Sequence, residues 1–186
     1  MQYFEEINVE RINVVDAEGK RRFVITHGGR HPDPRRRGPG AAMLFFNDEG
    51  QECGGIAFSG SARNGSYDAG AVIALDQFRD DQCVFLIYED DNGRRRHGLQ
   101  VVERHAVTVG PDGSTIGRED FPANTRLFAG RADDGSVVVS LNDRLGRPRL
   151  RLSVDAQGNP RIEMLDGEGH VTFALSPESK GDTQPK

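Results

Sequence analysis

The residues best equipped for chemistry are carboxylates in two short clusters: Asn47-Asp48-Glu49 with Glu52, and Asp76-Gln77 with Asp80-Asp81-Gln82. Paired carboxylates can divide the work of general acid and general base when burial drives their pKa values apart. On that ground Glu52, Asp76 and Asp81 are the candidate catalytic residues, and Asn47, Gln77 and Gln82 the candidate ligand-binding groups beside them. Arg30 and Arg36, in the Gly/Pro/Arg-rich stretch 27–40, could clamp an anion through charge-assisted contacts. The competing explanation is structural. The first cluster would decorate a hairpin loop and the second would cap a single helical turn, and neither role needs a substrate.

Other chemistry finds little footing. His27, His31, His97, His105 and His170 form no HxH or HExxH pattern. Cys53 and Cys83 stand in no CxxC context and read as free, mostly buried thiols, with a disulfide between them the alternative that only geometry decides. The acidic turns carry oxygen ligands suited to calcium, but none follows an EF-hand or a calcium-solenoid pattern. Phosphate loop, dinucleotide fingerprint and GxSxG elbow are all missing from the sequence. The reading therefore carries no metal and no cofactor.

With 24 basic and 29 acidic residues interspersed, for a net charge of -5, there is no extended positive face to track a phosphate backbone. The triplets Arg35-Arg36-Arg37 and Arg94-Arg95-Arg96 read as solvated loop charge. The longest apolar stretches, 71–75 and 83–88, fall far short of the roughly 20 residues that span a bilayer. Met1-Gln-Tyr-Phe-Glu-Glu has neither the positive start nor the apolar core of a secretory signal, which makes the cytoplasm the expected location.

What must position these residues is a set of short strands. Asp or Asn followed by Gly recurs at 16–19, 47–50, 90–93, 133–135, 143–146, 155–158 and 166–169. Each reads as a hairpin loop, the side chain accepting from backbone N–H groups and the glycine taking positive φ. Between the loops the C-terminal third alternates with period two, as in Val137/Val139/Leu141 and Leu150/Leu152/Val154, which predicts an antiparallel meander. Met43–Phe46 and Cys83–Tyr88 are instead continuous apolar runs, the pattern of strands covered on both faces. Gly54-Gly55 marks a bulge or a close backbone approach. Residues 27–40, with three prolines and nothing apolar to bury, predict a mobile loop, and the polar stretch 177–186 a disordered tail.

The most distinctive phrases are Val9-Glu-Arg-Ile-Asn-Val-Val15, Met43-Leu-Phe-Phe-Asn-Asp-Glu-Gly50 with Glu52 and Gly54-Gly55, and Asp76-Gln-Phe with Asp81-Gln82. In these the N-terminal half resembles a family of uncharacterised bacterial proteins. The resemblance implies a bacterial origin and brings no known activity or catalytic residue with it. The chain thus reads as one all-β domain over 1–176, an antiparallel barrel or curved sheet with a C-terminal meander. An open meander leaves two edges, which barrel closure or homo-oligomerisation would resolve. The leading functional expectation is a non-catalytic binding or structural module that self-associates. The alternative is a small-molecule enzyme using Glu52, Asp76 and Asp81.

Overall fold

Eight loops in the protein close in nearly the same way, and they set its architecture. In 16–20, 47–51, 77–81, 110–114, 132–136, 143–147, 155–159 and 166–170 the first residue donates its N–H to the carbonyl of the fifth, and the fourth donates back to the first. In seven of them the fourth residue is a glycine at positive φ, between 77° and 89° or, at Gly158, 91°. The exception is 77–81, where Arg79 takes φ 54° one residue earlier. Two tighter loops, Asn64-Gly65 and Asn92-Gly93, place both residues at positive φ, the type I′ geometry that matches strand twist.

A computed structural model describes residues 3–177, so the tail read from the sequence lies outside the described residues from 178 onward. The strands are β1 (Arg11–Val15), β2 (Arg21–His27), β3 (Ala41–Phe46), β4 (Glu52–Arg63), β5 (Ser66–Asp76), β6 (Gln82–Asp91) and β7 (Arg94–Glu103). After these come β8 (Val107–Val109), β9 (Thr115–Arg118), β10 (Asn124–Arg131), β11 (Val137–Asn142), β12 (Pro148–Val154), β13 (Pro160–Leu165) and β14 (Val171–Leu175). Twelve of them form one curved antiparallel sheet in chain order; β8 and β9 pair separately, so that β7 lies directly against β10. The sheet does not close into a barrel, and of the two architectures the sequence allows, the curved sheet is the one formed.

The register makes the two faces chemically different. Ile12, Ile25, Met43, Ile56, Ile73, Leu86, Leu99, Ala129, Val139, Leu152, Ile162 and Leu175 stand opposite one another in an unbroken row across all twelve strands. A parallel row runs from Val14 and Phe23 through Leu75, Val84 and Leu141 to Met164 and Phe173, and only Gly54 in it lacks an apolar side chain. This face is open: Leu86 is 51% exposed and Leu75 60%. The buried apolar residues Val24, Leu44, Ala74, Phe128 and Leu165 all lie on the opposite face.

That distribution corrects one expectation. The runs 43–46 and 83–88 are not covered on both faces, since Met43, Phe45, Leu86 and Tyr88 are exposed. An unbroken apolar run reports that both faces are apolar; whether both are occupied depends on the rest of the assembly. A second correction concerns 77–81, which is a hairpin loop of the recurring kind and not a helical turn.

The turn carboxylates make the fold acid-sensitive. The Asn159 side chain, followed by the Asn159 and Gln157 backbone N–H groups, holds the Asp155 carboxyl below the usual range. Ser114 and Ser136 do the same for Asp112 and Asp134 through hydroxyl and then N–H. A carboxyl whose folded pKa is depressed gives stability that is present above the unfolded value of about 3.9 and is lost as pH falls through the folded value. The urea midpoint is therefore expected to be lower at pH 3 than at pH 7, and Asp155→Asn should narrow the difference.

Candidate functional site

The second face of β3–β6 is built from small residues. Ala42, Ala57, Val72 and Ile87 form one cross-strand row there, and Leu44, Gly55, Ala74 and Phe85 the next. Neither glycine of the Gly54-Gly55 pair can carry a side chain in this arrangement: a Cβ on Gly55 would lie 2.5 Å from the Met43 carbonyl oxygen, and one on Gly54 2.5 Å from that of Ala74. The close backbone approach read from the sequence is thus present. It leaves the sheet shallow along this line.

Over the shallow line lies the segment 28–40. It carries two short 3-10 turns, Gly28–Arg30 and Pro34–Arg36, and its ends are tied by Gly28 N–H to the Gly40 carbonyl at 2.7 Å. Asp33 accepts from the Arg35 N–H, and the Arg35 guanidinium beside it lowers its pKa to about 2. His31 is buried, its Nδ1 against the Asp33 N–H at 3.1 Å. The stretch that offers nothing apolar to bury is organised by polar bonds, which composition alone does not reveal.

Between strap and sheet is a cavity of about 520 Å³. Glu52, Asp76, Gln82 and Arg36 line it, so the sheet and the strap bring together four of the residues that sequence singles out. Glu52 and Asp76 come from the ends of the adjacent hairpins β3–β4 and β5–β6, the same segments that hold the two distinctive phrases. The Arg36 guanidinium donates to both Glu52 carboxylate oxygens at 2.7 Å, which raises the arginine's own pKa.

Asp76 differs from its neighbour. Among the described residues no side chain or backbone N–H donates to its carboxylate. Burial, then the Glu52 and Asp81 charges, push its pKa up, against a smaller opposing pull from Arg36 and Arg104. The Cys53 thiol is raised as well, by burial and then by Asp76 and Glu52.

The other residues singled out in the sequence have structural work. Asp81 is exposed, 3.7 Å from Arg104, and does not line the cavity. The Asn47 Oδ1 caps its own loop, accepting from Glu49 and Gln51 N–H. Gln77 donates to the His105 carbonyl at 2.7 Å, and Arg30 pairs with Glu10 at the surface. Arg94, Arg95 and Arg96 each reach a carboxylate, on Asp133, Asp90 and Glu89. Sequence reading missed the anchor of the 104–123 arm, where buried Asp80 accepts from the His105 backbone N–H at 3.0 Å and pairs with the Arg118 guanidinium at 2.9 Å. The His105 ring lies between Asp80 and the Phe121 carbonyl, so neither ring nitrogen faces the cavity.

The raised pKa of Asp76 carries a testable consequence. A carboxyl whose folded pKa lies above its unfolded value weakens the fold where it is ionised, and the cost fades as pH falls through the raised value. Asp76→Asn is expected to raise the urea midpoint at pH 7, with the gain shrinking as pH approaches 4. A lower midpoint at pH 7 would show that the carboxylate is held by a partner instead.

Among the described residues no group of three His, Cys, Asp or Glu side chains is placed to hold a metal ion, and no helix is long and apolar enough to cross a membrane. The arrangement is a half-apolar cavity with one neutralised carboxylate and one without a hydrogen-bond partner. No family model and no curated protein matches the chain, so the reading of its function rests on the fold and this geometry.

Proposed function

We propose that the protein is a non-catalytic binding and structural module that works as a homo-oligomer, with the open face of its sheet packed against the same face of a second copy. The observation that carries this is the pair of apolar rows crossing all twelve strands with half-exposed side chains. Large contiguous apolar surface is uncommon on a protein that acts alone and marks an interaction site.

The size of the face supports a second copy as the occupant. Twelve strands spaced about 4.8 Å apart make it roughly 55 Å long, and two rows with their margins make it about 15 Å wide. The product, about 800 Å² per partner, matches a standard stable interface. A curved surface this long, with ridges at strand spacing, is best met by another sheet of the same length and twist, and two such faces can interdigitate about 10 Å apart. Most side chains of the two rows are open to solvent, Leu75, Leu86 and Phe173 among them. Light scattering on the eluting protein at micromolar concentration tests it. The expected mass is a multiple of 20.5 kDa, and a chain of single mass that instead sediments with lipid vesicles overturns the reading.

The enzyme reading draws support from Glu52 and Asp76 sharing a cavity. Against it, Glu52 is occupied by Arg36 and Asp81 stands outside, so the acid/base set is not assembled. Glu52 and Asp76 are better explained as binding groups.

A further inference from the structure

The cavity under the strap has a definite chemistry. Its floor and walls are Ala57, Val72, Ala74, Phe85 and Ile87; Arg36, Glu52, Asp76 and Gln82 gather toward the end where β5 stops, while Glu89 lines the far end opposite Gly70, 3.8 Å from Arg96. From Asp76 back to Gly70, both of which line it, the groove follows seven residues of one strand, about 20 Å over six steps of strand rise. A concave site of several hundred cubic ångströms that sets an apolar floor beside a few placed polar groups is the usual form of a small-molecule site.

Charge narrows the ligand further. Arg36 is already engaged by both oxygens of Glu52, which leaves Asp76 as the uncompensated charge. An anionic head group would face two carboxylates and one committed arginine. A neutral ligand would bury Asp76 further and leave it a desolvated ion without a partner. A protonated amine removes that cost by donating to the carboxylate in a charge-assisted bond. A metal ion would need further ligands, and the described residues offer no such cluster.

We propose that the groove between sheet and strap binds an elongated apolar amine, its hydrocarbon on the Ala/Gly floor and its ammonium group on Asp76. The site is independent of the open face, which lies on the other side of the sheet.

Calorimetric titration of the full chain at pH 7 with n-octylamine, and with octanoate as the probe of equal length and opposite charge, tests the proposal. Octylammonium is expected to bind saturably, one per chain, and octanoate not to bind. Asp76→Asn should weaken octylammonium at least about tenfold, the loss expected for one charge-assisted hydrogen bond. Ala57→Leu, which fills the floor and leaves every charge in place, should weaken it as well. Leu86→Glu on the open face should leave the affinity unchanged whether or not it alters the oligomer. Failure of octylammonium to saturate, equal binding of octanoate, or indifference to both groove substitutions overturns the assignment. Loss of binding in Leu86→Glu alone would place the amine on the open face, which also overturns it.

Discussion

Leu86→Glu is expected to reduce the proposed face-to-face oligomer to single chains at concentrations where light scattering finds the native protein assembled. Leu86 stands in the middle of the continuous row, between Ile73 and Leu99, and half of its surface is open in the isolated chain. Within one chain the substitution removes little packing, so the fold should survive with a small change in urea midpoint. At a face-to-face contact the same change buries a carboxylate without a partner, and by symmetry does so twice. A loss of roughly 3 kcal/mol or more corresponds to a hundredfold or greater rise in the dissociation constant. Leu145→Glu, at an equally exposed leucine in the β11–β12 loop and off the face, serves as the control and should keep the native mass. If Leu86→Glu runs at the native multiple, the open face is not the interface.

The second large effect concerns the shallow line of the sheet. Gly54 has φ 143°, a region in which side chains are strained, and a Cβ there would meet the Ala74 carbonyl oxygen at 2.5 Å. The neighbour that would have to yield is the β5 backbone at Ala74, which is paired on both sides, with Gly55 and Phe85. Gly54→Ala is expected to cost about 3 kcal/mol, from strain and clash together, read as a fall in urea midpoint with unchanged slope. Gly50→Ala provides the comparison. It shares a positive φ of 77° but meets nothing within 4 Å, so its loss should be limited to the backbone term. Equal losses at the two positions would remove the close approach as the cause.

Much of this fold can be read from residue order, because its turns are local. An Asp or Asn side chain and a glycine three residues on specify a loop without reference to anything distant, and each loop fixes the register of the strands it joins. Alternation then says which residues share a face. What alternation cannot say is whether a face is filled, and Met43–Phe46 shows why. Leu44 is buried while Met43 and Phe45 beside it are exposed, a difference created by the strap and not by the run itself. The loop at 77–81 was misread because it lacks the glycine; Arg79 holds positive φ in its place.

The site was legible in part. Glu52, Asp76, Gln82 and Arg36 stood out as polar groups near apolar runs, but their meeting depends on two hairpins lying side by side and on the strap folding back. Asp81, adjacent to Gln82, falls outside because it is the last residue of the 77–81 loop, where its carboxylate is exposed 3.7 Å from Arg104. The Asp80–His105–Arg118 anchor spans 25 residues or more and leaves no local mark at all.

The strict order of the sheet has a kinetic meaning. Every strand pairs with its neighbours in sequence apart from the β7–β10 contact, which bridges the 104–123 arm. Most β proteins fold slowly because distant strands must find each other, at an entropic cost that rises with the loop closed between them. Here nearly every pairing closes a loop of a few residues, and a hairpin once formed offers an edge on which the next can grow. The longest closure falls between β7 and β10, ahead of the strap between β2 and β3, so the chain divides there into two halves that can each zip up alone. Joining them across the Gly98 and Gly130 pairing is then the step expected to limit the rate.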